Sequence, residues 1–302
     1  MAVGAVSLDL GRLGRRRIWV VGAIAWDTVL HVTAYPAPGS YTKGSRRRER
    51  PGGSAANVAQ AVATAGLEVG FVTVLGRDDR GAVLHETLRQ SDLEHLHIRW
   101  VEGETNHVLV MVDDDGDRTI VGLAGDGLDT IHLDDVPLAA GDIVVFVVWD
   151  ESLRGDLEIA AAAGCVTVVG LGALEDPQVA HAHIAFGSHV DISAGTDPRR
   201  HLHRFDRIVR TSGADGAWQY TADGVLHQPA LLTEVVDTTG AGDAFLAGYL
   251  SVYAHGLTDG RAALEAGARW AALMVQLEAS IPPPWHTVDG VAALLAPDAA
   301  KV

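Results

Sequence analysis

The stretch Asp237-Thr238-Thr239-Gly240-Ala241-Gly242-Asp243-Ala244-Phe245 combines residue types that hold an anion with one that takes a proton. Two glycines bracket one alanine, and the following segment carries Phe245, Leu246, Tyr249, Leu250 and Tyr253 at helical spacing. Where a helix begins after such glycines, successive backbone N–H groups converge on one point and the helix dipole adds positive potential there. The result is a cradle for an anion. An aspartate inside it competes with the anion for that field, so Asp243 reads as a base working beside a phosphate. The apolar run Leu231 to Val236 just before the motif gives the expected order strand, turn, helix.

Neither of two common phosphate-binding loops fits the stretch. A dinucleotide fingerprint needs a third glycine where Phe245 stands, and a Walker A loop needs a Gly-Lys-Ser/Thr that is not there. A glycine turn with Asp243 as an ordinary helix cap is the default for an isolated Gly-x-Gly-Asp. Against that default stand the nine-residue length of the motif and its companions upstream.

The nine residues resemble the C-terminal signature of the ribokinase/PfkB family of sugar and nucleoside kinases. The resemblance implies that Gly240, Ala241 and Gly242 form the anion hole for the transferred phosphate and that Asp243 deprotonates the acceptor hydroxyl. Pro51-Gly52-Gly53-Ser54-Ala55-Ala56-Asn57-Val58-Ala59 is similar to the family's N-terminal signature. Gly52 and Gly53 let a substrate approach the backbone, and Asn57 can donate to and accept from its hydroxyls. Gly22 and Asp27 reproduce a Gly-x-x-x-x-Asp spacing whose aspartate holds the substrate in the family. Asp27 also lies just past an apolar strand, where open α/β sheets bind ligands. Ser54 and Ala25 replace a lysine and an asparagine frequent in ribokinases proper, which leaves the acceptor open among sugars, sugar derivatives and nucleosides.

Weaker resemblances fill the middle of the chain. Gly76-Arg77-Asp78-Asp79-Arg80-Gly81 follows the family's Gly-x-Asp-x-x-Gly turn, and Thr211, Gly213 and Gly216 match a Thr-x-Gly-x-x-Gly beside the nucleotide. The family's metal-organising Asn-x-x-Glu is replaced by Ser188-His189-Val190-Asp191. Asp191 reads equally as a Mg²⁺ ligand acting through water and as the cap of the next segment. Relatives hold K⁺ with residues matching Asp237 and Thr239, plus carbonyls from a later turn where this chain has Glu278-Ala279; weak K⁺ activation is expected. Asp150, at the end of an apolar run from Ile143 to Val148, reads as a further sugar ligand. The implied cofactors are ATP and Mg²⁺, with K⁺ beside the anion hole. A catalytically silent nucleotide-binding relative is the alternative to an enzyme.

The elements that must position these residues alternate strand and helix. Apolar runs at Ile18–Ile24, Val69–Leu75, 143–148, 165–169 and 183–187 lack polar alternation, as strands buried on both faces do. Helices are expected from Ser54 to about Ala65 and at 83–90, 153–163, 243–255 and 258–277. The resemblance adds a ribokinase-like fold over 1–302. It is a mostly parallel central sheet with helices on both faces and a small β-sheet lid from about 28–50 and 104–122, through which a homodimer forms. Val29, His31, Thr33 and Tyr35 alternate as a half-exposed strand does, and the arginines at 46–48 read as a solvated face or as ligands of a substrate phosphate. Trp26 stacks on a sugar or base, or packs in the core. A hairpin turn is expected at Asp113-Asp114-Asp115-Gly116-Asp117, and a second hairpin about Asp223-Gly224.

Composition narrows the function classes. With 302 residues and 48% hydrophobic content the chain can bury a sizeable core, and a formal net charge of -16 argues against general nucleic-acid or anionic-membrane binding. One cysteine, Cys165, sits in an apolar setting, which fits a buried strand residue and a reducing cytoplasm. Arg12, Arg15, Arg16 and Arg17 precede an apolar run too short for a membrane span, read as a strand and not a signal peptide. The 14 histidines lack metal-site spacing.

Overall fold

The computed structural model describes residues 16–114, 118–125, 127–256 and 260–291. In chain order the elements are β1 (Ile18–Val21), β2 (Ala25–His31), β3 (Arg46–Gly52), α1 (Ser54–Ala63), β4 (Val69–Gly76), α2 (Asp79–Arg89), β5 (His95–Val101), β6 (His107–Val112) and β7 (Arg118–Ala124). They continue with β8 (Ile143–Phe146), α3 (Arg154–Ala162), β9 (Val166–Gly170), β10 (Ala182–Ser188), β11 (Phe205–Thr211), β12 (Ala217–Thr221), β13 (Gly224–Gln228), α4 (Ala241–Ala254) and α5 (Gly260–Met274).

Among the described residues the larger sheet runs β13-β12-β11-β10-β9-β8-β1-β4-β5. It is parallel from β11 to β5, and the antiparallel hairpin β12–β13 closes one edge. β1 lies inside the sheet between β8 and β4 and is wholly buried because both of its faces are covered. Ile18 and Val20 join a core built on α1, α2, α4 and α5, whereas Trp19 and Val21 join a second core on the other face with Leu153 and Leu157 of the α3 region. Each large apolar side chain so buried contributes about 1.5–3 kcal/mol. Cys165 is buried, and burial pushes its thiol up to about 11, so it stays protonated and inert.

The smaller sheet has the order β3-β2-β6-β7. β3 pairs antiparallel with β2, β6 parallel with β2, and β7 antiparallel with β6. Cross-strand partners share a face. Asp27 is opposite Arg50 and Val108, so the face that carries Asp27 also carries Arg46, Arg48, Val110, Ile120 and Arg118.

Three expectations change. The run Leu231 to Val236 pairs with no strand among the described residues, and Leu231, Leu232, Val235 and Val236 are exposed. This segment is tied down instead through the Val236 and Asp237 N–H groups, which donate to the Val275 carbonyl. The expected strand Ile18–Ile24 stops at Val21, because at Gly22 the chain leaves the larger sheet for the smaller one, with no room for a side chain there: a Cβ would lie 2.6 Å from that of Ala55. Strand β5 was not expected. As an edge strand it packs Leu96, Ile98 and Trp100 against one core and Val101 against the other, all only partly buried, a weaker signal than a buried apolar run. Of the expected turn at 113–117, residues 115–117 lie outside the described residues, as do Arg12 and Arg15.

Candidate active site

Asp27 reaches the site because β2 starts just past the C-terminal end of β1. Its side chain is only 6% exposed, and Oδ1 is buried with no hydrogen-bond partner among the described residues. Its carboxylate lies directly over Gly52, where a Cβ would come within 2.1 Å of Oδ2, so only glycine fits. Gly53 has φ 95 and is wedged against the backbone of Ala23 to Ala25, with 2.8 Å from a Cβ position to the Ala23 carbonyl. That left-handed residue starts α1 and sets Asn57 on its first turn.

Asn57 is buried, and its Nδ2 donates to Asp243 Oδ2 at 2.8 Å across 186 positions of sequence. The two motifs read from the sequence thus meet side chain to side chain. Asn57 Oδ1 is buried without a partner among the described residues. Burial raises the Asp243 carboxyl from the ordinary 3.8 to about 6, with Asn57, Ser54 and the charge of Arg118 pulling the other way. Burial likewise raises Asp27 to about 6; the charge of Arg50 pulls it down and that of Asp243 pushes it further up. Two carboxylates titrating near 6 are both ionised at neutral pH, yet close enough to that range to exchange a proton.

The turn before α4 holds its shape through Gly240, at φ 76, where a Cβ would lie 2.6 Å from the Ser280 carbonyl. Ala241 N–H donates to the Thr238 carbonyl and Ala244 N–H to that of Gly240. Among the described residues no backbone carbonyl accepts the N–H of Gly242 or Asp243. Nothing lies within 4 Å of a Cβ placed on Gly242, so the turn is open to a ligand on that side. Asp237 Oδ1 accepts the Thr239 N–H at 2.8 Å, which fixes the start of the turn.

The smaller sheet is tied to this turn at several points. Arg118 Nη1 donates to the Thr238 carbonyl at 3.2 Å, and Ser280 Oγ donates to the Pro51 carbonyl at 3.0 Å. Glu278 Oε2 pairs with Arg48 at 2.5 Å and Arg46 at 3.5 Å, so its charge is taken up by the sheet. Arg50 and Arg118 were not read from the sequence as parts of the site. Arg50 directly precedes the Pro-Gly-Gly motif, but its position opposite Asp27 follows from strand register.

The remaining expected residues sit on the same rim of the larger sheet, at the C-terminal ends of its strands, without contact to the carboxylate pair. Asp150 is exposed and caps a short turn after β8, its Oδ1 accepting from Ser152 N at 2.9 Å and Oγ at 2.6 Å, bonds that hold its carboxyl below the usual range. Asp191 follows β10 and forms a capping box in which its Oδ2 accepts the Ser188 N–H at 2.6 Å. Thr211 ends β11 and donates to the Gly187 carbonyl at 3.3 Å. The next turn uses Gly213 at φ 53 and Gly216 at φ 88, closed by Ser212 N–H to the Gly216 carbonyl at 2.8 Å.

Residues 15–287 match the pfkB family of carbohydrate kinases. The chain is 30% identical over 299 residues to an ATP-dependent ribose-1-phosphate kinase of Halopiger xanaduensis, covering 92% of this chain and 98% of that protein. It is 30% identical over 265 residues to an aminoimidazole riboside kinase of Salmonella typhimurium, covering 78% and 80%. The fold is shared with a nucleoside kinase of Burkholderia thailandensis solved in complex with inosine, with TM-score 0.78 and 20% identity over 92% of this chain and 96% of the other. With its two signature segments joined by the Asn57–Asp243 bond and the family match spanning most of its length, the chain belongs to the pfkB family of carbohydrate kinases.

Proposed function

We propose that the protein transfers the γ-phosphoryl group of ATP to a hydroxyl of a sugar or sugar derivative, with Asp243 as the general base. The observation that carries this reading is the placement of Asp243: set at the start of α4, its carboxyl raised by burial to about 6, and held by Asn57 beside N–H groups with no internal acceptor. As the acceptor oxygen attacks the γ-phosphorus, its proton passes to Asp243 and the bond to the bridging oxygen of ADP breaks. The turn Gly240, Ala241 and Gly242 holds the charge on the transferred group through the helix dipole and the N–H groups of Gly242 and Asp243, which no backbone carbonyl accepts among the described residues.

Asp27 accepts from one acceptor hydroxyl through its unpartnered Oδ1, and Asn57 Oδ1 offers a second acceptor atom. Gly52 and Gly53 leave the space for that approach, and Asp150 stands at the rim as an outer ligand. Thr211, Gly213 and Gly216 line the nucleotide side. Asp191 has Oδ2 committed to Ser188, which leaves its other oxygen to hold Mg²⁺ through water. Mg²⁺ supplies charge neutralisation on the phosphates when bound. Asp237 and Thr239 would hold K⁺; Asp237 Oδ1 is already engaged and Glu278 is neutralised by arginines, which supports weak activation. The smaller sheet acts as a lid over the acceptor. Its outward face, with Leu30, Leu109, Met111 and Val121 in register, is the surface for a homodimer. An ATP-using kinase with one buried cysteine belongs in the cytoplasm.

A nucleoside acceptor is the second reading, supported by the aminoimidazole riboside kinase and by the inosine-bound neighbour. Acceptor-dependent ADP formation over a panel of sugars and nucleosides separates the two. ATP binding without stimulation by any acceptor would favour a silent nucleotide-binding relative.

A further inference from the structure

The lid carries arginines at 46, 47, 48, 50 and 118, and their surroundings differ in one respect. Arg47 pairs with Glu49, Arg46 and Arg48 both pair with Glu278, and Arg118 donates to the Thr238 carbonyl. Arg50 has no such partner among the described residues. Its Nε and Nη2 are buried and donate to no acceptor among the described residues. Leaving guanidinium donors buried and unfilled is costly, and natural structures rarely keep them without a reason.

Asp27 does not supply that reason. The two residues face each other across β2 and β3, and the charge of Arg50 acts on Asp27, yet they form no ion pair within 4 Å and Asp27 Oδ1 is also left unfilled. The site face therefore presents a pair of unmet needs side by side: donors on a fixed positive fork and an acceptor on a carboxylate. A neutral sugar satisfies the carboxylate through a hydroxyl. The fork is matched by an anion with paired oxygens.

We infer that the acceptor already carries a phosphate group, held by Arg50, while an adjoining hydroxyl is held by Asp27 and another hydroxyl is phosphorylated at Asp243. This deepens the kinase reading and rests on it for the reaction, though not for the binding. The step balances as an ordinary phosphoryl transfer: ATP and a sugar monophosphate give ADP, a sugar bisphosphate and the proton taken by Asp243. Arg50 binds the group that does not react, so it sets which acceptor is chosen.

The test compares neutral acceptors with their own phosphate esters: ribose with its 1- and 5-phosphates, fructose with its 1- and 6-phosphates, and adenosine with AMP. Binding is measured by calorimetry without ATP, and ADP formation in parallel. At least one ester should bind wild type about 10- to 100-fold tighter than its neutral parent, the range of a charge-assisted hydrogen-bonded contact. Arg50→Gln should remove that preference and Arg50→Lys restore part of it, with melting curves showing all three folded. Neutral parents binding as well as every ester, or Arg50→Gln weakening parent and ester alike, would overturn the inference. So would displacement of the ester by an equal concentration of orthophosphate, which would reduce the site to a pocket for free anions. If an ester binds through Arg50 but no ADP forms, this inference stands and the kinase reading fails; ADP formation with neutral sugars alone gives the reverse.

Discussion

Replacing Asp243 with asparagine should make the protein more stable and nearly inactive, and both effects follow from its surroundings. In the folded chain the carboxyl is raised from 3.8 to about 6. Between those values the folded state keeps a proton that the unfolded state releases, so stability falls as pH rises through the window, and the full cost stands above about pH 6. A shift of that size corresponds to about 3 kcal/mol at most. Asp243 keeps partial exposure, and solvent screening reduces the figure to about 1–2 kcal/mol. Asn57 can still donate to the asparagine oxygen. Asp243→Asn should therefore melt about 2 to 5 °C above wild type at pH 8. The gap should close toward pH 5, where the wild-type carboxyl is itself protonated. Turnover should drop about 10²- to 10⁴-fold, as expected for loss of a general base. Differential scanning calorimetry across pH 5 to 8.5, with ADP release on the same samples, measures both. A mutant that melts at or below wild type at pH 8, or that turns over normally, would refute the reasoning.

Wild-type turnover should rise with pH through about 6 and then level, since the base must be ionised; a rate that falls over that interval contradicts the assignment. Gly240→Ala should cost about 1–2 kcal/mol for the left-handed backbone alone, with more from the contact to Ser280, and should remove most activity; chemical denaturation and a kinase assay report the two losses. Asp191→Ala should lower stability by about 1 kcal/mol through the lost cap and raise the Mg²⁺ needed for half-maximal rate. An unchanged Mg²⁺ titration would confine Asp191 to capping. Exchanging Na⁺ for K⁺ should raise the rate only modestly, and a strict K⁺ requirement would oppose the arrangement read at Asp237, Thr239 and Glu278.

What was legible in the sequence was local. Gly240 to Asp243 and Gly52 to Asn57 carry their geometry in consecutive residues, because a left-handed glycine and a helix start need no distant partner to be recognised. The alternation of buried strands was legible for the same reason. Strand register was not: Arg50 comes to Asp27 only because β3 folds back on β2 with Asp27 opposite Arg50, and a one-residue slip would turn it to the other face. The segment Leu231 to Val236 has the composition of a strand, but its end is held by the Val275 carbonyl after α5, a long-range contact that composition does not encode. Asp191 shows the reverse limit. Both a cap and a metal ligand need a carboxylate at that spacing, and only the bond to Ser188 distinguishes which oxygen is engaged.

The most direct test of the proposed chemistry is ³¹P NMR of ATP with wild type and with Asp243→Asn, over sugars, sugar phosphates and nucleosides. The expected result is a new phosphate-ester resonance that appears with ADP for at least one acceptor, and that Asp243→Asn slows by about 10²-fold or more. Loss of ATP to ADP and orthophosphate with no ester formed, or ester formation at an equal rate in both proteins, would contradict it.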